Sequence, residues 1–313
     1  ATQKGKARGK THAAAGRAAV HAPGQAGGGI AVEPHLCVGC GACTTVCPSG
    51  ALGYALPGTQ DQGRRMRTLL ATYRRAGGKD AALLIHSEGA GQRLVDDLGR
   101  AARVDPAVQG VPARVLPIAV WHTASIGLDL WLMALAQGAS QVWVLLTDEE
   151  APEYRAALTE QMAVAQALMT GLGFAGTHLR TIELRDAHDL PALDLALRAP
   201  AAQAVKRASE ASAQAEKRST LELARDHLLA AAPSAGRWPE AIALPATGAP
   251  WGSLALDAGK CTLCLSCVGA CPASALADNP DLPQLRFIEK NCVQRGLCVQ
   301  TRPEGALRLE PRP

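Results

Sequence analysis

The chain has 313 residues, 48% of them hydrophobic and 19% charged, with a net charge of +4. That length supports two or three domains with at least one sizeable core, and the balance is that of a globular protein. So mild a charge gives no ground for nucleic-acid binding, and no apolar run approaches the roughly 18–20 residues that cross a bilayer.

Residues 1–29 carry Lys4, Lys6, Arg8, Lys10 and Arg17, no acid, and a Gly27-Gly28-Gly29 end. With few bulky apolar side chains this stretch is expected to be a disordered basic tail. It lacks the interleaved aromatics that nucleic-acid contact would use, so it reads as a solvated arm. Ala1 to Lys10 has no apolar segment behind it and is not patterned as a secretory signal, so a cytoplasmic protein is expected.

A half module is expected over 30–58: a strand at 30–33, a cysteine group, and a return strand at 51–56 before the Pro57-Gly58 turn. Residues 64–200 differ. Short apolar runs at 81–85, 113–121, 141–147 and 177–184 alternate with helical patterns at 91–103, 127–137 and 152–172, where Pro152 suits a first turn. The alternation predicts a three-layer α/β domain whose parallel sheet is covered on both faces. The Ala-rich stretch 201–232 predicts one long helix leaving the sheet, with a Pro- and Ala-rich linker completing 201–250. From 251 to 311 the order is strand (253–257), cysteine group, strand (284–289), second group, strand (306–310), a repeated half.

The ten cysteines are clustered: Cys37, Cys40, Cys43 and Cys47 at the front, then Cys261, Cys264, Cys267, Cys271, Cys292 and Cys298. A disulfide framework would spread its partners through a small secreted domain, whereas clusters in a long chain point to metal or redox chemistry. The first group reads Cys37-Val-Gly-Cys40-Gly-Ala-Cys43-Thr-Thr-Val-Cys47-Pro48, and Cys261 to Pro272 repeats its spacing. Two-residue gaps let a tight loop wrap three thiolates round an iron–sulfur core. Small residues such as Gly39 and Gly41 let backbone N–H groups approach the sulfides, which together with solvent exposure tunes the potential. Zinc sites also use such pairs, but usually two pairs separated by a longer loop.

These runs resemble those of the bacterial two-cluster ferredoxin family, over residues 30–56 and 251–311. The resemblance implies α+β ferredoxin-like modules at both ends flanking the three-layer α/β parallel-sheet domain. It also implies one to three 4Fe–4S clusters held by the ten cysteines, and electron exchange with redox partner proteins such as dehydrogenase, hydrogenase or reductase subunits. In this family type the fourth cysteine of each run serves the other cluster. The middle region resembles the α/β part of small iron–sulfur subunits of hydrogenase and heterodisulfide reductase complexes. It has no cysteine of its own, so no cluster is assigned to it.

The third group departs from the pattern: Cys292-Val-Gln-Arg295-Gly-Leu-Cys298-Val-Gln-Thr-Arg302-Pro303. Arginine is a permanent cation with donors only and cannot ligate iron. By the crossed-ligand rule, Cys261, Cys264 and Cys267 meet Arg302 in the fourth place. Cys292, Cys298 and Cys271 meet Arg295. Each is then a three-thiolate site, a 3Fe–4S centre or partly empty. The front group has no partner half upstream, which leaves two pairings. Local pairing within 251–311 is preferred, since nearby elements usually pair. In the alternative, a split ferredoxin, Cys37, Cys40, Cys43 and Cys271 share one cluster and Cys261, Cys264, Cys267 and Cys47 another.

Other signals are weaker. In Trp121-His122-Thr123-Ala124-Ser125, Thr123 or Ser125 is placed to cap the helix near Gly127 and to face an anion, although capping and packing alone account for the loop. Gly89-Ala90-Gly91 lacks the third glycine of a dinucleotide fingerprint. His35 reads as a surface residue, and His86 and His122 as packed or capping. No acid–base or nucleophile constellation is present. The expectation is an electron carrier or accessory redox subunit rather than a catalyst. The alternative is a catalytic oxidoreductase subunit whose α/β domain binds a nucleotide or flavin.

Overall fold

The computed structural model describes residues 32–33, 35–55, 57–185, 189–233, 241–301 and 304–312. The basic tail, the start of the expected 30–33 strand and Arg302 lie outside the described residues. A short helix α1 (Ala42–Val46) precedes α2 (Thr59–Arg75), β1 (Ala82–Ser87), α3 (Ala90–Val104) and β2 (Val115–Val120). After a tight helical turn at Thr123–Ser125 come α4 (Leu128–Ala136), β3 (Gln141–Leu146), α5 (Pro152–Gly171), β4 (Leu179–Glu183), α6 (Leu190–Ala196) and α7 (Lys217–Ala230). The C-terminal part adds β5 (Gly252–Leu256), α8 (Ser266–Gly269), β6 (Leu276–Asp278), β7 (Leu285–Phe287), α9 (Leu297–Gln300) and β8 (Leu307–Pro311).

The central strands form a parallel sheet in the order β2-β1-β3-β4. Every residue of β1 and β3 is buried, which is why both strands read as continuous apolar runs. Successive side chains point to opposite faces. Leu83, Ile85, Val142, Val144 and Leu146 therefore enter one core, shared with Met66 of α2, Leu158 of α5 and Leu221 of α7. Ala82, Leu84, Trp143 and Leu145 enter a second, shared with Leu94 and Leu98 of α3, Leu193 of α6 and Leu197 just after it. Helix α4 is buried along its whole length. Each large apolar side chain so buried stabilises by about 1.5–3 kcal/mol. That outweighs the cost of burying the one acid of α4, Asp129, only if the acid has a partner.

In the C-terminal part, β5 pairs antiparallel with β8 (Leu254 opposite Leu309) and β6 with β7 (Leu276 opposite Phe287). Strand β6 was not expected from the sequence. Its partner β7 supplies the ladder that three residues cannot form alone.

Three expectations are corrected. Residues 201–232 do not form one helix. Helix begins only at Lys217, and α7 stays on the central domain, with Leu221, Ala224 and Leu228 buried there. The stretch before it bonds to other elements instead: Gln203 N–H donates to Ala175 O, Ser209 N–H to Ala136 O, and the Gln137 amide to Ala211 O. Those tertiary contacts override the helical preference of alanine. The return strand expected at 51–56 does not form over the described residues 51–55; one bridge, Ala55 to Gly58, stands in its place. No strand runs through Val32 or Glu33 to pair with it, and Tyr54 turns inward instead. Finally, α2 and α6 form where no helix was expected. Among the described residues no helix is long and apolar enough to cross a membrane.

Candidate metal centre

The front loop is built by backbone geometry. Leu36 and Cys37 N–H both donate to Glu33 O. Gly39 (φ 70°) and Gly41 (φ 86°) then take left-handed conformations that glycine adopts without a Cβ penalty. At Gly41 a Cβ would also lie 2.9 Å from Ser125 Cα, so glycine is required twice over. Helix α1 follows, and Cys47 leaves it in extended conformation. Burial pushes the Cys43 thiol up, and the thiols of Cys40 and Cys37 push it further, as expected where like charges converge. Burial also raises Cys47, but the Ser49 hydroxyl and the N–H groups of Leu52, Ala51 and Ser49 outweigh it and lower Cys47 to about 7.

This loop is fastened to the α/β domain. Tyr54 OH donates to Gly39 O (2.7 Å) and Thr45 Oγ1 to Ala124 O (2.5 Å). Lys217 Nζ donates to the carbonyls of Thr44 (3.1 Å), Thr45 (2.5 Å) and Cys47 (3.0 Å) at the end of α1. A short helix leaves such carbonyls without partners, and a remote lysine fills them. The ammonium is backed by Asp129 of α4. Burial pushes Asp129 up and Lys217 down, and each partner's charge acts against that shift.

In the C-terminal part Leu263 (φ 55°) and Leu265 (φ 59°) occupy the positions equivalent to Gly39 and Gly41. In the incomplete third loop Gln294 (φ 53°) and Gly296 (φ 77°) do the same. All three loops thus share one left-handed pair, two and four residues after the first cysteine, even where it costs a side-chain-bearing residue about 1–2 kcal/mol. Alternating turns of this kind aim N–H groups into a concavity suited to an anion. Cys267 and Cys298 are buried with Leu276 and Leu307, with Cys271 at the edge of that cluster. Burial raises the Cys298 thiol, and Cys292 and Cys271 raise it further. Cys292 and Cys271 are thus the thiols that act on Cys298, and Arg295 is exposed. Ala275 N–H and the Gln294 amide each approach a sulfur, of Cys271 and Cys292, at 3.3 Å.

The donor set fits an iron–sulfur cluster: closely spaced thiols on left-handed loops, with N–H donors near the sulfurs of Cys271 and Cys292. Among the described residues no three cysteine, histidine or acidic side chains close on a single ion, a spacing that a multi-iron core does not need.

The crevice at the carboxyl ends of β1 and β3, where the strand order reverses, is where such sheets take ligands. Here it is filled from within. Glu149 accepts from Ser87 Oγ and from Ala90 N–H (2.9 Å), and Gly91 N–H donates to Ser87 Oγ (2.9 Å). Glu150 accepts from Thr123 Oγ1 (2.7 Å) and Thr147 N–H (2.7 Å). Neither Thr123 nor Ser125 caps α4, whose N-cap is Gly127; His122 Nδ1 caps the preceding turn by accepting from Ala124 N–H. His86 is buried and His35 exposed, in line with the sequence reading. Tyr54, Asp129, Glu149 and Lys217 were missed. Of these only Asp129 left a signal, as a lone acid in an apolar helix.

Cysteine loops of one shared backbone mark the two ends of the chain as iron–sulfur segments. Residues 30–52 match the 4Fe-4S binding domain and residues 253–303 the 4Fe-4S dicluster domain. The two cysteine-bearing ends belong to the 4Fe–4S ferredoxin domains, and the chain binds 4Fe–4S clusters. No curated protein gives a match to the chain.

Proposed function

We propose that this chain is a ferredoxin-like electron carrier, an accessory subunit or partner of a cytoplasmic oxidoreductase such as a dehydrogenase or hydrogenase. Its cluster ligands are Cys37, Cys40, Cys43 and Cys47 at the front and Cys261, Cys264, Cys267, Cys271, Cys292 and Cys298 behind. The observation that carries this reading is the left-handed pair common to all three cysteine loops, retained where two cysteines are replaced. A bound cluster supplies a one-electron couple. The chain's own residues hold the loops, direct N–H groups at the sulfurs and limit water. The C-terminal pair are three-thiolate sites, with Arg295 and Arg302 in the remaining positions. The front half module (30–58) and the C-terminal module (251–311) serve the clusters, and the α/β domain between them is a three-layer scaffold.

Exposed Leu36 (82%) and Val38 (77%) flank the exposed Cys37, which favours a redox partner approaching the front loop. The alternative, a catalytic subunit with a nucleotide or flavin in the α/β crevice, meets the Glu149 carboxylate at the N-terminus of α3, where a phosphate would bind. An anaerobic redox titration followed by EPR tests the carrier reading. It is expected to give reversible one-electron signals at low potential. Tight co-purification of flavin or nicotinamide, with clusters that do not cycle, contradicts it.

A further inference from the structure

The first two residues of α7 each bind a different cysteine loop. Lys217 holds three carbonyls of the front loop, as above. The neighbouring Arg218 donates to the carbonyls of Lys290 (2.9 Å) and Cys292 (3.2 Å) in the third loop, and to Pro250 O. Between the two loops lies a cavity of about 250 Å³, lined by Val46 and Pro48 on the front side, by Val293, Gln294 and Arg295 on the other, and by Lys217.

Both side chains are themselves held. Arg218 Nε lies 3.4 Å from Glu222, which also lies 3.6 Å from Lys290. Lys217 faces Asp129 across the α4–α7 contact, and α7 is anchored in the main core by Leu221, Ala224 and Leu228. Three carbonyl oxygens surround Nζ, and only the ammonium form carries three N–H donors, so this geometry calls for a cation.

We propose that Lys217 and Arg218 are positioning residues, a two-headed clamp that ties the front loop and the Cys292 loop to one rigid helix. Each gives its own loop a separate cation, so that the front and C-terminal clusters work as one relay with separately set potentials. The inference rests on the reading that these loops hold redox-active clusters. A cluster gains negative charge on reduction, and a fixed cation beside it favours the reduced form and raises its potential. Because the two cations bind different loops, removing one affects one cluster.

The test uses the full-length protein, with iron and sulfide content and EPR-monitored redox titration for each variant. Signals are assigned to the front or C-terminal part by comparison with Cys43→Ala. Lys217→Met is expected to lower the midpoint potential of the front cluster and leave the C-terminal signals in place; Arg218→Met is expected to do the reverse. Lys217→Arg and Arg218→Lys, which keep the charge, are expected to restore most of each shift. Spin–spin broadening between reduced clusters is expected to weaken in both Met variants. If Lys217→Met loses iron, Lys217→Gln, with a donor and no charge, carries the same measurement. Unmoved potentials at wild-type iron content, or equal shifts of both clusters in either variant, overturn the clamp. Absence of any reversible signal in the wild type overturns the carrier reading itself, which separates the two failures.

Discussion

Cys43→Ala protein is expected to lose the front cluster and keep the C-terminal ones. Cys43 is the third thiol of the front run, and Cys40 and Cys37 both act on it, as expected if the three serve one core. Removing it leaves two thiols of the front triad, Cys37 and Cys40, too few to retain a cluster. The loop itself is expected to stay docked. Its contacts to the α/β domain run through Gly41, Thr45 and Tyr54, and none of them uses the Cys43 side chain. Iron and acid-labile sulfide should therefore fall together by one cluster's worth, with the circular dichroism and the remaining EPR signals retained. Unchanged iron content would show that Cys43 is not a ligand.

The second large effect is expected at Asp129. Asp129→Ala leaves the Lys217 ammonium buried among carbonyls with no opposite charge. Lys217 and Asp129 act on each other through space rather than as a contact ion pair, so removing the acid is expected to cost on the order of 1–3 kcal/mol. Denaturant unfolding should show this as a lower midpoint with little change in slope. Asp129→Asn is expected to cost less, because its amide oxygen still accepts from the first-turn N–H groups of α4 that Asp129 now uses. The same substitutions should loosen the front loop, since Lys217 is its link to α4. A measured loss below about 1 kcal/mol, the value of one ordinary hydrogen bond, would mean that Lys217 is not held as a charged partner.

What the sequence made legible follows from how local each constraint is. The cysteine loops could be read because ligand spacing is a property of a dozen consecutive residues. The central strands could be read for the same reason: β3 runs Gln141–Leu146 against an expected 141–147, and Pro152 opens α5. Contacts made at long range were not legible. The Ala-rich segment before Lys217 has good helical propensity, yet its backbone bonds to residues 136 and 175. Lys217 looked like one more surface charge until α7 placed it beneath α1. Glu149 looked like an ordinary loop acid, and only the reversal of strand order brings it to the N-terminus of α3. The third loop shows both cases at once. Its replaced cysteines were plain in the sequence, while the backbone it shares with the intact loops appeared only in the φ angles of Gln294 and Gly296.

Thiolates in these loops hold iron and inorganic sulfide. Metal and acid-labile sulfide analysis of anaerobically purified full-length protein tests this most directly. The protein is expected to be brown, with iron and sulfide in near-equal amounts, at least one cluster for each matched domain, and no stoichiometric zinc. Colourless protein containing zinc, or no metal and no sulfide, would contradict it.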